Sequence, residues 1–220
     1  MLRAIIIYLL ILLATLATDI HLWVAQQLFD LQGQQWLLRD YWLTEDVLHR
    51  GVRNINSVVV AFLLLAISWR LAIDGLTELN QRRLRLVAAL LASFAVISYL
   101  KYVLQMDCPW DMQLYGGNKP YYPLWAIKPN HISGGQCFPA GHASIGFAYI
   151  ALYFYWQPLR PMAAKMALAS ALTLGTLLGF VQQLRGAHFF IDDLTTAAIC
   201  AIVSWLIFRN PDYAHNKNTP

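Results

Sequence analysis

Apolar residues in this chain run in long, almost uncharged blocks separated by short polar breaks. The blocks cover roughly Ala4 to Thr18, Ser57 to Ile73, Leu86 to Leu104, Ala143 to Trp156, Met162 to Phe180 and Phe189 to Phe208. A helix needs about 20 mostly apolar residues to cross the hydrocarbon core. The pattern therefore predicts an all-α, polytopic membrane protein with six transmembrane helices. The first and fourth blocks are short for this and are expected to extend into their polar flanks. The first block, with Arg3 before it and "LATLAT" at its end, also has the outline of a cleavable signal peptide. There is no internal repeat or low-complexity tract, so one membrane domain over residues 1–220 accounts for the chain, with "RNPDYAHNKNTP" as a frayed tail.

Two polar segments are longer than simple connectors. From Asp19 to Asn56, "DIHLWVAQQLFDL" has apolar residues near helical spacing, and Trp23, Trp36, Tyr41 and Trp42 stand among charges. That composition predicts a helix lying in the membrane interface, with aromatic rings at headgroup depth. The second segment, Gln105 to Pro139, carries five prolines and two Gly-Gly pairs, which exclude a long helix and predict a structured, turn-rich loop. It contains Cys108 and Cys137, whereas Cys200 falls in the last span. In an oxidising periplasm the first two form a disulfide closing the loop, worth about 3 to 4 kcal/mol; otherwise they are two free thiols.

Composition agrees with the pattern: 58% of residues are hydrophobic and 13% charged. Charge adds orientation. With the N-terminus inside, Arg3, Arg70, Arg82, Arg83, Arg85, Arg160, Lys165, Arg209 and Lys217 fall on the cytoplasmic side, mostly in short connections. The longer segments then face outward. A net charge of +4 spread over every loop suits a neighbourhood of anionic lipid and gives no nucleic-acid footprint.

A charge inside a span costs about 2.5–3.5 kcal/mol on insertion scales, so it needs a partner or a purpose. Lys101 sits near the outer end of the third span, where a snorkelling anchor is the alternative to a function. His142 opens the fourth span in "CFPAGHAS", where Pro139 suits a helix start and Gly141 lets backbone N–H groups approach an anion. In "VQQLRGAHFFIDDL", Arg185, His188 and Asp192 stand at i, i+3 and i+7, on one face if the stretch is helical. A carboxylate four residues after a histidine can hold one ring nitrogen and leave the other for a substrate. With six alternating spans these groups share one membrane face. Cations with two imidazoles suit an oxyanion such as phosphate, one histidine attacking phosphorus and the other protonating the leaving oxygen. A metal site on His142, His188 and Asp192 is an alternative.

These motifs resemble those of the type 2 phosphatidic acid phosphatase (PAP2) superfamily, whose pattern is K-x6-R-P, P-S-G-H and S-R-x5-H-x3-D on a six-helix membrane core. Lys101 and Pro109 match the first motif, Pro139, Gly141 and His142 the second, and His188 and Asp192 the third. The resemblance implies that His188 is the nucleophile of a phosphohistidine intermediate and that Asp192 orients it. It implies that His142 is the general acid and then the base for water, that Lys101 and the Gly141 N–H hold phosphoryl oxygens, and that no metal or cofactor takes part.

The departures all fall on the phosphate grip: Cys108, Ala140, Val181 and Gln182 replace two arginines and two serines of the pattern. Losing a bidentate clamp weakens transition-state stabilisation unless another group replaces it. Arg185, three residues after Gln182, is the expected replacement, giving Lys101, Gly141, Arg185 and Gln182 as the phosphate-binding set. Lys119, Lys128, Arg50 and Arg53 are further candidates. By resemblance the chain is a phosphatase for a lipid phosphate or diphosphate in a bacterial inner membrane, with its site facing the periplasm. Undecaprenyl diphosphate, phosphatidylglycerol phosphate, phosphatidic acid and lipid A are typical substrates of the family. A phosphotransferase, or a non-catalytic relative that binds or moves anionic lipid, is the alternative.

Overall fold

The computed structural model describes residues 2–123, 126, 128–129 and 133–209. The polar tail with Lys217 lies outside the described residues. Among these residues secondary structure is helical apart from one isolated bridge, Met112 to Lys119. The long helices are α1 (Leu2–Thr18), α2 (Ile20–Asp30), α3 (Val52–Asp74), α4 (Glu78–Leu104), α7 (Pro161–Leu184) and α8 (Phe190–Phe208). Between α4 and α7 lie two short helices, α5 (Ser144–Phe147) and α6 (Ala151–Trp156), joined by a 3₁₀ turn.

Among the described residues, four helical stretches are long and apolar enough to cross a membrane: Leu43–Asp74, Glu78–Asp111, Pro161–Leu184 and Phe190–Phe208. α1 and α2 make a fifth span if their 64° bend is counted as a break within one crossing. The expected fourth span does not extend into its flanks. It remains the shorter apolar run Ser144–Trp156, bounded by turns at both ends, and almost every residue of its first two turns is buried between α4, α7 and α8. A segment wrapped by other helices satisfies its backbone without having to reach across the bilayer on its own. Large apolar side chains on α1, α3, α4 and α7, among them Leu10, Val58, Leu65, Tyr99 and Leu177, point outward, as the surface of a membrane protein requires.

Local chemistry explains the helix ends. Thr77 caps α4, its hydroxyl accepting the Asn80 N–H at 3.2 Å. Pro161 occupies the first turn of α7, where its missing N–H costs nothing. At the same end of the bundle the buried Arg82 donates to the carbonyls of Phe154 and Tyr155, at 2.9 and 2.7 Å, closing the C-terminus of α6. The central core is built from Leu90 and Ile97 of α4 with Ala140, Ala143, Phe147, Ala148, Ala171 and Cys200. So many alanines let the helices approach closely.

The segment from Asp19 to Asn56 differs from the expectation. α2 is the helix foreseen there, and Trp23, Tyr41 and Trp42 are exposed, but Trp36 is packed inside with Phe29, Tyr115 and Phe189. From Leu43 to Gly51 the backbone is a π-helix that runs directly into α3. Such insertions are uncommon and often accompany functional sites. The loop after α4 is folded by two 3₁₀ turns and by a Cys108–Cys137 disulfide with 5.2 Å between the Cα atoms. Asp107 in this loop binds Lys119 at 2.9 Å and also Lys128.

Candidate active site

The site begins where α7 stops. The Gly186 N–H bonds the Gln183 carbonyl and the Ala187 N–H bonds the Gln182 carbonyl, both at 2.9 Å, with Gly186 at φ +73°. This is a Schellman stop, and only glycine takes its left-handed position without strain. The Trp36 ring also packs where a Gly186 side chain would stand. The chain then restarts as α8 with Asp192 capping it, one carboxylate oxygen accepting the Phe189 N–H at 2.9 Å. The expectation of a single helix carrying Arg185, His188 and Asp192 on one face is therefore corrected. A glycine break between two helices gathers these side chains instead.

His188 is buried, and its Nδ1 lies 3.5 Å from the same Asp192 oxygen that accepts the Phe189 N–H. The contact is longer than a hydrogen bond, and this nitrogen has no hydrogen-bond partner among the described residues. Burial first, then the nearby cations Lys101 and Arg185, pull the His188 pKa down to about 3, so the imidazole is neutral.

The "PAGH" turn docks on α8. The Thr196 hydroxyl donates to the Ala140 carbonyl at 2.9 Å, and Ala140 is wholly inside the core. Where the family pattern has a serine, this chain thus has a packing residue. Gly141 faces Lys101: a Cβ added at Gly141 would lie 3.1 Å from the Lys101 Nζ, so the backbone and the ammonium are near neighbours. His142 donates from Nε2 to the Leu48 carbonyl of the π-helix at 2.7 Å. Burial, with His49, His188 and Arg185 nearby, lowers its pKa to about 4.

A cavity of about 500 Å³ joins these pieces, and Lys101, Gly141, His142, Gln182, Arg185 and His188 all line it. Asp192 stands behind His188 and does not line it. Every residue singled out for chemistry from sequence is therefore brought to one end of the bundle. A neutral buried imidazole, backed by a carboxylate and facing a lysine, can act as a nucleophile toward an anionic centre.

Arg185 is more constrained than its place in the sequence implies. Its Nε donates to the Arg39 carbonyl at 2.9 Å, Nη1 to Gln182 Oε1 at 2.8 Å, and Nη2 to the Glu45 carboxylate. Three of its five N–H donors are used, which leaves two for a ligand. The amide nitrogen of Gln182 is buried on the cavity wall and has no hydrogen-bond partner. Of the further cations named from sequence, Lys119 and Lys128 are committed to Asp107, and Arg50 to Glu45 and Asp46. Arg53 lines the cavity.

Sequence reasoning missed Glu45 and His49. Both come from the π-helix; Glu45 holds Arg185, and His49 lines the cavity with its ring centroid 4.9 Å from that of His142. Their spacing of four residues in "EDVLH" is the same kind of carboxylate–histidine signal as His188 and Asp192, but it sat in a segment that read as membrane interface. Ser144, whose hydroxyl donates to the Gly141 carbonyl at 2.5 Å, also lines the cavity. Among the described residues, no three His, Cys, Asp or Glu side chains are grouped so as to hold a metal ion.

A family model described as PAP2 superfamily matches residues 82–216. No curated protein and no solved structure matches the chain.

Proposed function

The chain belongs to the PAP2 superfamily, and on that footing we propose that it is a lipid phosphate or diphosphate phosphatase working through a phosphohistidine on His188. The observation that carries the lipid part is a second cavity, about 470 Å³, lined by Val52, Ile55, Val59, Tyr149 and Leu174 and sharing Asn56 and Ile145 with the polar one. A charged chamber beside an apolar groove, with Asn56 and Ile145 lining both, suits a molecule that has a phosphate at one end and a chain at the other.

In this mechanism Nε2 of His188 attacks phosphorus while Asp192, on the other side of the ring, stabilises the charge that develops. Lys101, the Gly141 N–H, the spare donors of Arg185 and the unpartnered Gln182 amide hold the phosphoryl oxygens, replacing the pattern's arginines. His142 serves proton transfer at the leaving oxygen and then at water.

The site faces the periplasm across a bacterial inner membrane. Two features support that orientation. Arg82, Arg160 and Arg209 lie at the bundle end opposite the site, as the positive-inside rule favours for a cytoplasmic face. Cys108 and Cys137 pair at the site end, which suits an oxidising compartment.

Phosphate release from undecaprenyl diphosphate, phosphatidylglycerol phosphate, phosphatidic acid and lipid A by the purified protein tests the proposal. Release from at least one, lost in His188→Ala, is expected; an inert wild type on all four would overturn it.

A further inference from the structure

The polar cavity and the apolar groove meet at Asn56 of α3 and Ile145 of α5, which line both. Along the π-helix and α3 the lining changes in order: His49 and Arg53 line the polar cavity, Asn56 lines both, and Val59 lines the groove. The wall that starts in the turn before α5 runs the same way, from His142 through Ile145 to Tyr149. Arg53 and His142 therefore stand at the same level, each three residues before the junction, or about one helical turn.

Arg53 is a cation without a task in the fold. Among the described residues its guanidinium has no hydrogen bond or ion pair. Its neighbours differ: Arg185 is anchored by three hydrogen bonds, and Arg50 is paired with Glu45 and Asp46. Asn56 is half free, since its Oδ1 accepts the Tyr149 hydroxyl at 2.9 Å while its Nδ2 has no partner among the described residues. A substrate with its terminal phosphate at His188 and its chain in the groove passes this level. The group found there is the one attached to the leaving oxygen. In a monophosphate that group is carbon, which a guanidinium does not recognise. In a diphosphate it is a second phosphate, which a guanidinium binds with two parallel hydrogen bonds.

We propose that Arg53, with the Asn56 amide, is a specificity-determining subsite for the inner phosphate of a lipid diphosphate, and that it makes this site prefer diphosphates to monophosphates. This rests on the phosphatase reading above. In the first step His188 Nε2 forms a bond to the terminal phosphorus as the bond from that phosphorus to the bridging oxygen breaks. The electron pair stays on the bridging oxygen, which takes a proton from His142 and leaves as the lipid monophosphate. Water then attacks the phosphohistidine, its proton returns to His142, the electrons of the P–N bond return to His188, and inorganic phosphate is released. Arg53 makes no covalent bond; it neutralises the charge that moves onto the inner phosphate.

The test is the ratio of kcat/KM for farnesyl diphosphate to that for farnesyl phosphate, in one detergent, for wild type, Arg53→Ala and Arg53→Lys. The two substrates share a chain, and their ratio does not depend on how much of a variant is folded. Wild type should favour the diphosphate, and Arg53→Ala should lower the ratio about tenfold or more, as loss of a charge-assisted contact to one substrate alone requires. Arg53→Lys, which keeps the charge, should recover part of it. An arginine that only anchored the helix among lipid headgroups would change both substrates alike. An unchanged ratio in Arg53→Ala, or a wild type that cleaves the monophosphate and not the diphosphate, overturns this subsite and leaves the phosphatase reading intact. A wild type inert on the four lipids above and on both farnesyl compounds overturns the two together.

Discussion

Arg185 and Glu45, 140 positions apart, form an ion pair in the wall of the cavity, with the arginine almost fully buried. The contact links the α7–α8 break to the π-helix, so the cavity end of the bundle depends on a segment outside all three sequence motifs. Removing one member of a buried pair strands the other charge, at a cost of about 3–5 kcal/mol. Glu45→Ala is therefore expected to be destabilised by that amount in denaturant unfolding, and the Glu45→Ala/Arg185→Ala double variant by less than the sum of the single ones.

Arg185 is also expected to matter for catalysis. Phosphate release by Arg185→Ala should fall at least tenfold, and Arg185→Lys should not restore it. An ammonium cannot bond the Arg39 carbonyl, Gln182 and Glu45 in one plane and still offer donors to a ligand. Full activity in either variant would remove Arg185 from the phosphate grip.

The Cys108–Cys137 link closes a loop of 29 positions over the site. Its removal by Cys137→Ser, or by reductant, should lower stability by about 3 to 4 kcal/mol in the chain-entropy model. Mass spectrometry without reduction should find the two cysteines joined and only Cys200 open to alkylation after unfolding. Three alkylatable thiols would contradict the pairing.

Stability should fall with acid. His142 and His188 are held neutral, with pKa values lowered to about 4 and about 3 from the ordinary 6.5. Between those values and 6.5 the unfolded chain binds more protons than the folded one, so the stabilisation present above pH 6.5 is lost as pH drops toward 4. Each histidine should withdraw on the order of 2 kcal/mol by pH 5. A thermal midpoint in detergent that falls between pH 7 and pH 5, and falls less in His142→Gln, is the expected result.

If the apolar groove takes the lipid chain, a bulky residue in it should act by chain length. Val59→Trp, on the α3 wall of the groove, is expected to slow hydrolysis of a long-chain lipid phosphate at least tenfold more than that of a butyl phosphate. Equal effects on both would mean that the chain lies elsewhere.

Much of this was legible in the sequence because the bilayer sets a simple test. Long apolar blocks located α3, α4, α7 and α8 but missed the polar first turns of α3 and α4, which begin at Val52 and Glu78 rather than at Ser57 and Leu86, and the cost of burying charge marked Lys101, His142, His188 and Asp192. Three things were not legible. The run Ser144–Trp156 stays short because neighbouring helices wrap it, which no hydropathy pattern expresses. The stretch Arg185 to Asp192 looked helical, but Gly186 at positive φ breaks it, and the spacing of i, i+3 and i+7 persists by coincidence. Glu45 and His49 were hidden because the π-helix that aims them depends on contacts with Arg185 and with His142, more than 90 positions away.

The central claim is covalent chemistry at His188. The direct test is to mix the purified protein with a ³²P-labelled lipid phosphate that it cleaves, quench in base and map the label. Acid-labile, base-stable label on the peptide containing His188, absent from His188→Ala and retained longer when water attack is slowed, is the predicted result. Turnover without label at His188, or label on another residue, would contradict the account.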